Sequence, residues 1–162
     1  MIDQIELLRI IEKNASISSS EIAVMIGATA AEVEAEIADL KAQKIILGST
    51  TQINWEKTSP EHVTAMIEVK ITPVREKGFD HIADILCNYD KVTACYLMSG
   101  GFDLMLIYED DNLRDIANFV YDKVATLEGV LSTATHFILR KYKDNGIMFD
   151  TKSPDDRQAI VL

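Results

Sequence analysis

The chain has 162 residues, of which 48% are apolar and 26% are charged, and its net charge is −10. This composition is typical of a soluble globular protein with one domain or two small ones. Two small domains would each bury a thin core, so we expect the chain to associate. No apolar run is long enough to span a bilayer, and Asp3 and Glu6 stand where a signal peptide carries positive charge. We therefore expect a cytoplasmic protein with no membrane segment.

The chain shows no pattern typical of catalysis or metal binding. Cys87 and Cys95 lie in apolar periodic segments, which predicts buried free thiols rather than a disulfide or metal framework. His62, His81 and His136 are far apart and lack ligand spacing. No nucleophile constellation and no phosphate-binding glycine loop is present. We therefore expect neither an enzyme nor a resident metal or cofactor.

Three helices are predicted at the start of the chain. Apolar residues recur with helical spacing over residues 3–13. The next two helices each begin with a capping box, in which a Ser or Thr precedes a Glu by three residues; the pairs are Ser18 with Glu21 and Thr29 with Glu32. Gly27 ends the second helix, and the third runs to about residue 44. Two helices joined by a short glycine-containing turn are typical of a helix-turn-helix, whose second helix enters the major groove of DNA.

Residues 45–55 are predicted to form a small β-wing, and a polar linker follows over 56–62. Beyond it, the apolar period alternates between strand and helix in the order βαββαβ. The predicted strands are 63–72, 92–98, 103–108 and 130–140, and the predicted helices are 76–88 and 113–125. This order is that of a ferredoxin-like fold, whose antiparallel sheet carries helices on one face only. We expect a second copy of the chain to cover the bare face.

These features together resemble the Lrp/AsnC family of feast/famine transcriptional regulators. The motifs that carry the resemblance are the run 33–40 followed by Ile45-Ile46, the turn Ser99-Gly100-Gly101-Phe102-Asp103, and residues 131–135 before Lys141. The resemblance covers residues 1 to about 143. It implies an α+β protein with a winged helix-turn-helix over 1–55, a linker over 56–62, and a ferredoxin-like (RAM-type) sensing and oligomerisation domain over 63–142. Residues 143–162 are left as a C-terminal tail.

The resemblance also implies partners. It implies a homodimer that pairs its sheets, possible assembly into an octamer, DNA as the target, and an amino-acid effector bound between dimers. Six residues form the candidate effector site: Ser99, Gly100, Gly101, Asp103, Thr133 and Thr135. Glycine takes positive φ and leaves N–H groups open to a carboxylate, while Asp103 suits an ammonium and the threonines supply hydroxyls. By resemblance, the threonines come from a neighbouring subunit. The alternative is that the glycine pair closes a hairpin and Asp103 caps it.

DNA contact is where the chain departs from the family. The candidate DNA-binding residues are Thr29, Ala31, Glu32, Ala35, Lys41 and Lys44. The face opposite the apolar stripe of the third helix carries alanines, with glutamates and an aspartate beside them. Residues 1–62 hold five Lys or Arg against ten Asp or Glu, whereas DNA-binding domains are usually basic. The alternative is that this acidic face is only solvated.

Three functions remain on the sequence alone. The first is an amino-acid-responsive, DNA-binding transcriptional regulator that uses avidity to compensate for an acidic helix. The second is an amino-acid-sensing oligomeric interaction module with weak or no DNA binding of its own. The third is an enzyme, because siroheme decarboxylase subunits have a related two-domain fold, although no catalytic constellation supports it. In the tail, residues 143–156 are predicted to be a mobile connector. Residues 159–162 are predicted to add a strand to a sheet edge, of this chain or of a partner, with fraying of the terminus as the alternative.

Overall fold

The computed structural model describes residues 2–58, 61–72 and 78–149. The chain divides into two compact units, residues 1–52 and 53–162, each with its own apolar core. The division therefore lies before the segment 56–62 that the sequence suggests as a linker. Among the described residues, no helix combines the length and apolar character needed to cross a membrane.

The first unit contains three helices, α1 Gln4–Lys13, α2 Ser19–Ile26 and α3 Ala30–Ala42. Both predicted capping boxes form, because Ser18 and Thr29 exchange hydrogen bonds with the glutamate three residues later. Gly27 ends α2 at φ 68°, in the left-handed region that glycine adopts without a steric penalty. The helix-turn-helix prediction is confirmed.

The apolar stripes of the three helices meet in one small core. The fully packed members are Leu7 of α1, Ile22 and Ala23 of α2, and Val33 and Leu40 of α3. These positions match the helical spacing seen in the sequence, so burial of the stripes fixes which faces of the helices remain outside.

Residues 45–54 contain no strand, in contrast to the β-wing expected there. Lys44 takes φ 57°, and the N–H groups of Ile45 and Ile46 both donate to the carbonyl of Leu40. The apolar run after α3 therefore completes the C-terminal turn of the helix, and the side chain of Ile46 packs on the core.

The second unit has the predicted order βαββαβ. Its elements are β1 Val63–Ile71, α4 Asp80–Cys87, β2 Val92–Leu97, β3 Leu104–Asp110, α5 Leu113–Phe119 and β4 Val130–Phe137. The strands form one antiparallel sheet in the order β2-β3-β1-β4. A 3₁₀ turn, Trp55–Lys57, precedes the sheet, and a π-helical turn, Val120–Val124, extends α5. The ferredoxin-like prediction is confirmed.

The core of the second unit lies between one sheet face and the two helices. Alternate residues of the central strands are buried there, among them Ile67 and Val69 of β1 and Leu104 and Leu106 of β3. Ile82 and Leu86 of α4 and Ile116 and Phe119 of α5 pack on them. The other face of the sheet carries polar side chains, including Glu68, whose Oε1 lies 3.1 Å from Nε2 of His136.

Two predictions need correction. Cys87 is exposed and Cys95 is half-buried, so the thiols are free as expected but Cys87 is not buried. Burial and the neighbouring Cys87 thiol raise the pKa of Cys95 to about 11. The first residues of the tail are not a connector, because β5 Lys143–Asp144 pairs with β6 Ile147–Met148 in a hairpin. The strand predicted over 159–162 lies outside the described residues.

Candidate effector site and DNA-reading helix

The loop 98–103 joins β2 to β3 and is anchored at both ends. The N–H of Met98 donates to the carbonyl of Asp103 at 2.8 Å, and the N–H of Asp103 donates to the carbonyl of Val69 at 3.0 Å. These bonds attach the loop to the end of β1 and leave its middle outside the ladder. The sequence motif therefore sits at one corner of the sheet, next to the last residues of β1.

Gly100 and Gly101 do not take positive φ, which corrects the prediction from the sequence. A Cβ at either position would meet no atom within 4 Å. Because the two glycines have no side chains, they leave the backbone N–H groups of the loop accessible to a ligand. Within the described residues, the N–H groups of Ser99, Gly100 and Gly101 have no hydrogen-bond partner, and all three residues are exposed. Consecutive exposed N–H groups are suitable donors to an anion.

Asp103 has a structural contact that sequence analysis did not identify. Its Oδ2 accepts a hydrogen bond from the N–H of Ile71 at 2.7 Å, and the side chain is half-buried. This bond satisfies the last N–H of β1, which lies outside the β2–β3 hairpin that the alternative interpretation expected Asp103 to cap. The other carboxylate oxygen has no partner among the described residues and remains available to a cation.

Thr133 and Thr135 lie on the edge strand β4, half-buried. They pair directly with Val69 and Ile67 of β1, so both threonines share the helix-covered face of the sheet. Neither hydroxyl has a hydrogen-bond partner in the part of the chain that the structure describes.

Asp103 and Thr133 flank the same residue, Val69, from opposite sides of β1. Two strand spacings separate them, which is about 10 Å. The amino and carboxyl groups of one amino acid are much closer together than this. One protomer therefore brings the loop residues and Thr133 to one end of the sheet, with Thr135 opposite the middle of β1. The threonines and Asp103 are not within reach of a single backbone-bound amino acid.

The exposed face of α3 matches the face inferred from its periodicity. Val33 and Leu40 are fully buried, whereas Ala31, Ala35 and Lys41 are exposed. Thr29 and Lys44 flank the helix and are exposed as well. All the candidate DNA-binding residues are thus accessible in the isolated unit.

Most carboxylates of α3 already bind partners within the protein. Glu32 accepts hydrogen bonds from the N–H and hydroxyl of Thr29, at 2.8 Å and 2.7 Å, and these bonds lower its pKa. Glu36 accepts from the side chain of Gln4 at 2.6 Å. Asp39 accepts from the side chain of Gln43 at 2.6 Å. The acidic residues therefore cap α3 and join it to α1, rather than forming a uniformly solvated face.

Known proteins are similar to this chain over most of its length. The profile of the Lrp/AsnC ligand binding domain matches residues 64–148, which is more than half of the chain. The HTH-type transcriptional regulator YugG of Bacillus subtilis is 41% identical over 157 residues, covering 96% of this chain and 94% of that protein. LrpA of Pyrococcus horikoshii is 30% identical over 145 residues, covering 88% of this chain and all of that protein.

Solved structures share the fold. A transcriptional regulator of Neisseria meningitidis in complex with L-Met superposes with a TM-score of 0.71 at 18% identity, covering 89% of this chain and 94% of the other. AsnC of E. coli superposes with a TM-score of 0.66 at 18% identity, covering 87% of this chain and 94% of the other. These relatives are regulators rather than enzymes, and they do not favour the interaction-module alternative. The chain belongs to the Lrp/AsnC family and is an HTH-type transcriptional regulator.

Proposed function

We propose that this regulator binds a free α-amino acid at the loop 98–103 and that the bound amino acid changes its affinity for DNA. The observation that carries the proposal is the row of three exposed, unpartnered N–H groups next to the half-buried carboxylate of Asp103. The N–H groups match the carboxylate of an amino acid, and the unpartnered oxygen of Asp103 matches its ammonium.

The relatives support this class of ligand. The regulator from Neisseria meningitidis and a feast/famine regulatory protein from Mycobacterium tuberculosis were each solved with L-methionine. For this chain, Thr133 and Thr135 are too far across β1 to complete the site in the same protomer. The threonines of a neighbouring subunit would complete it, so effector binding and assembly would depend on each other.

Homodimerisation through the open face of the sheet belongs to the same proposal. That face leaves Ile107 half-buried and Tyr96 54% exposed, with Ala134 on the edge strand. A second sheet packed on it would remove these apolar atoms from water. Further assembly of dimers would place several helix-turn-helix units on one DNA, and avidity would offset the weak charge complementarity of each α3.

DNA contact would use Thr29, Ala31, Ala35, Lys41 and Lys44, with Glu32 held away in its capping box. Alanine and threonine methyl groups contact the methyl group of thymine, and the lysines contact phosphates. Outside α3, Arg9 and Lys13 of α1 and Lys57 are the other cations of residues 1–62. Among the described residues, no group of three His, Cys, Asp or Glu is arranged to hold a metal ion.

Isothermal titration calorimetry with the twenty amino acids tests the effector site. The wild type should bind at least one of them, and Asp103→Asn should weaken that binding by about tenfold or more because the ammonium loses its counter-charge. Asp103→Asn keeps an oxygen for the N–H of Ile71, so a change in fold does not confound the comparison. Equal affinity in the wild type and the variant would exclude Asp103 as the ammonium partner.

A further inference from the structure

A pocket lies at the opposite end of the sheet from the loop 98–103. It is formed by residues that precede β1 and residues that follow β4, over the start of β1 and the end of β3. The empty space around it is about 370 Å³ when the solvent at its open mouth is included. Asn54, His62, Thr64 and Lys141 supply polar groups, and Trp55 and Phe149 belong to its apolar walls. The whole pocket belongs to the second unit.

Two buried atoms in this pocket lack hydrogen-bond partners among the described residues. They are Oδ1 of Asn54 and Nε2 of His62. Buried polar atoms are nearly always paired in folded proteins, so each orphan points to a missing partner. Asn54 Oδ1 can only accept. Nδ1 of His62 lies 3.7 Å from Oδ1 of Asp111, beyond hydrogen-bond distance. In the tautomer with the proton on Nδ1, Nε2 of His62 is an acceptor as well.

A third acceptor stands beside them. Oε2 of Glu109 lies 3.7 Å from Nε2 of His62, too far for a hydrogen bond. Oε1 of the same carboxylate is already engaged by the hydroxyl of Thr64 at 3.3 Å and by Lys141 at 3.4 Å. Nε2 of His62 and Oε2 of Glu109 are then two acceptors with no donor between them. A ligand group with several N–H bonds can donate to both.

The charges around the pocket favour a cation. Glu109 and Asp111 face His62, and Asp144 lies 3.8 Å from Lys141. Glu56 also lines the pocket, so four carboxylates stand beside one ammonium, that of Lys141. The ring of Trp55, whose centroid lies 5.5 Å from that of His62, adds an aromatic face that attracts cations.

We infer that this pocket binds a primary ammonium compound with a short apolar chain. The ammonium donates to Asn54, His62 and Glu109, and the chain lies against the apolar walls, which include Ile53 and Ile138. The site is distinct from the proposed effector site. Seven residue steps along β1 separate Thr64 from Ile71, which is about 23 Å.

The position of the pocket gives the ligand a regulatory role. Asn54, Trp55 and His62 all lie in the segment that connects the helix-turn-helix unit to the first strand of the sensing sheet. An ammonium that binds to this segment and to Glu109 of β3 at once would hold the segment against the sheet. Amine binding would thereby restrain the connecting segment, to which the DNA-binding unit is joined.

The test uses the fluorescence of Trp55, which is the only tryptophan in the chain. The full-length protein is titrated at neutral pH with n-butylammonium chloride, and in parallel with n-butanol and sodium n-butyrate, which share the alkyl chain. We expect a saturable change with n-butylammonium alone. Equal responses to n-butanol, or no saturation with n-butylammonium, would overturn the proposal.

Matched variants locate the binding. Asn54→Asp adds a negative charge to the ammonium position and should tighten n-butylammonium binding by about tenfold, whereas Asn54→Leu should weaken it by about tenfold. Glu128→Gln, which removes an exposed carboxylate beside the start of β4, should leave it unchanged. Circular dichroism confirms that each variant is folded. If both Asn54 variants bind as the wild type does, the pocket is not the site.

Discussion

The carboxylate of Asp103 accepts a hydrogen bond from the N–H of Ile71 at 2.7 Å, and this bond attaches the loop after β2 to the end of β1. One carboxylate oxygen of Asp103 thus stabilises the fold. The other oxygen has no partner among the described residues, so this bond is compatible with the proposed effector binding. Their contributions are separable by substitution.

Asp103→Ala should destabilise the second unit by about 1–2 kcal/mol, because the N–H of Ile71 loses its charged acceptor at a partly buried position. Asp103→Asn should cost less than about 1 kcal/mol, since the amide oxygen still accepts that bond. Urea denaturation followed by circular dichroism measures both. Equal stability of Asp103→Ala and the wild type would show that the bond to Ile71 contributes nothing.

The ion pair between Lys91 and Asp110 should stabilise the end of β3. Its N···O distance is 2.7 Å, and the Asp110 side chain is 5% exposed. Burial raises the pKa of Asp110, but hydrogen bonds from Lys91 and from the N–H of Asp111 outweigh it and leave that pKa below its usual value. Lys91→Met should lower the melting temperature because Asp110 loses its charged donor, and solvent screening of the half-exposed Lys91 should keep the change modest.

The same pair predicts a pH dependence with a definite sign. A carboxyl whose pKa is lower in the folded state stabilises the protein above its unfolded pKa, and that stability is lost as the pH falls through the folded value. The second unit should therefore lose stability below about pH 4 in the wild type and less steeply in Lys91→Met. A melting temperature that falls equally in both proteins would exclude this contribution from the pair.

The two capping boxes predict that acid also weakens the helical unit. Hydrogen bonds from Ser18 and Thr29 lower the pKa of Glu21 and Glu32, respectively. Their stabilising effect is present above pH 4.5 and is lost as the pH falls through the lowered values. Thr29→Ala should lower stability by about 1 kcal/mol at pH 7 and reduce its dependence on pH. Thermal melts between pH 3 and pH 7 provide the comparison, with the exposed Thr51 changed to Ala as the control.

Charge reversal on α3 should distinguish two kinds of glutamate. Glu34 has no partner among the described residues, whereas Glu36 holds Gln4. Glu34→Lys should therefore strengthen DNA binding without loss of stability and steepen its salt dependence by about one unit for each phosphate gained. Glu36→Lys should bind DNA more tightly only at the expense of a lower melting temperature. Unchanged DNA affinity in Glu34→Lys would mean that this part of α3 lies away from DNA.

Local signals in the sequence predicted most of the fold. The spacing of Ser18 to Glu21 and of Thr29 to Glu32 located the starts of α2 and α3, because a capping box satisfies otherwise free N–H groups at a helix start. Alternation over β1 and β3 identified the central strands, since one face of each is buried under the helices.

The predictions of a β-wing after α3 and of a connector at the start of the tail were wrong. Ile45 and Ile46 suit a strand by propensity, yet the turn after α3 and the first core use them instead. At residues 143–148, the Asn-Gly pair favours a two-residue hairpin, and a hairpin forms there in place of the predicted connector. Asn145 and Gly146 do take positive φ there, at 44° and 80°.

The candidate effector site was only partly predictable. The composition of the loop 98–103 pointed to exposed N–H groups beside a carboxylate, but the bond from Ile71 to Asp103 joins residues 32 positions apart and has no local signature. The orphaned atoms of Asn54 and His62 likewise depend on how distant segments pack around them.

The central claim is that an amino acid changes the DNA affinity of this regulator. Fluorescence anisotropy with the DNA upstream of its own gene and with a scrambled duplex, at two salt concentrations and with or without the amino acid found by calorimetry, tests it directly. We expect selective binding that shifts with the amino acid in the wild type and a much smaller shift in Asp103→Asn. Binding that is equal on both duplexes, or that is unaffected by any amino acid, would contradict the account.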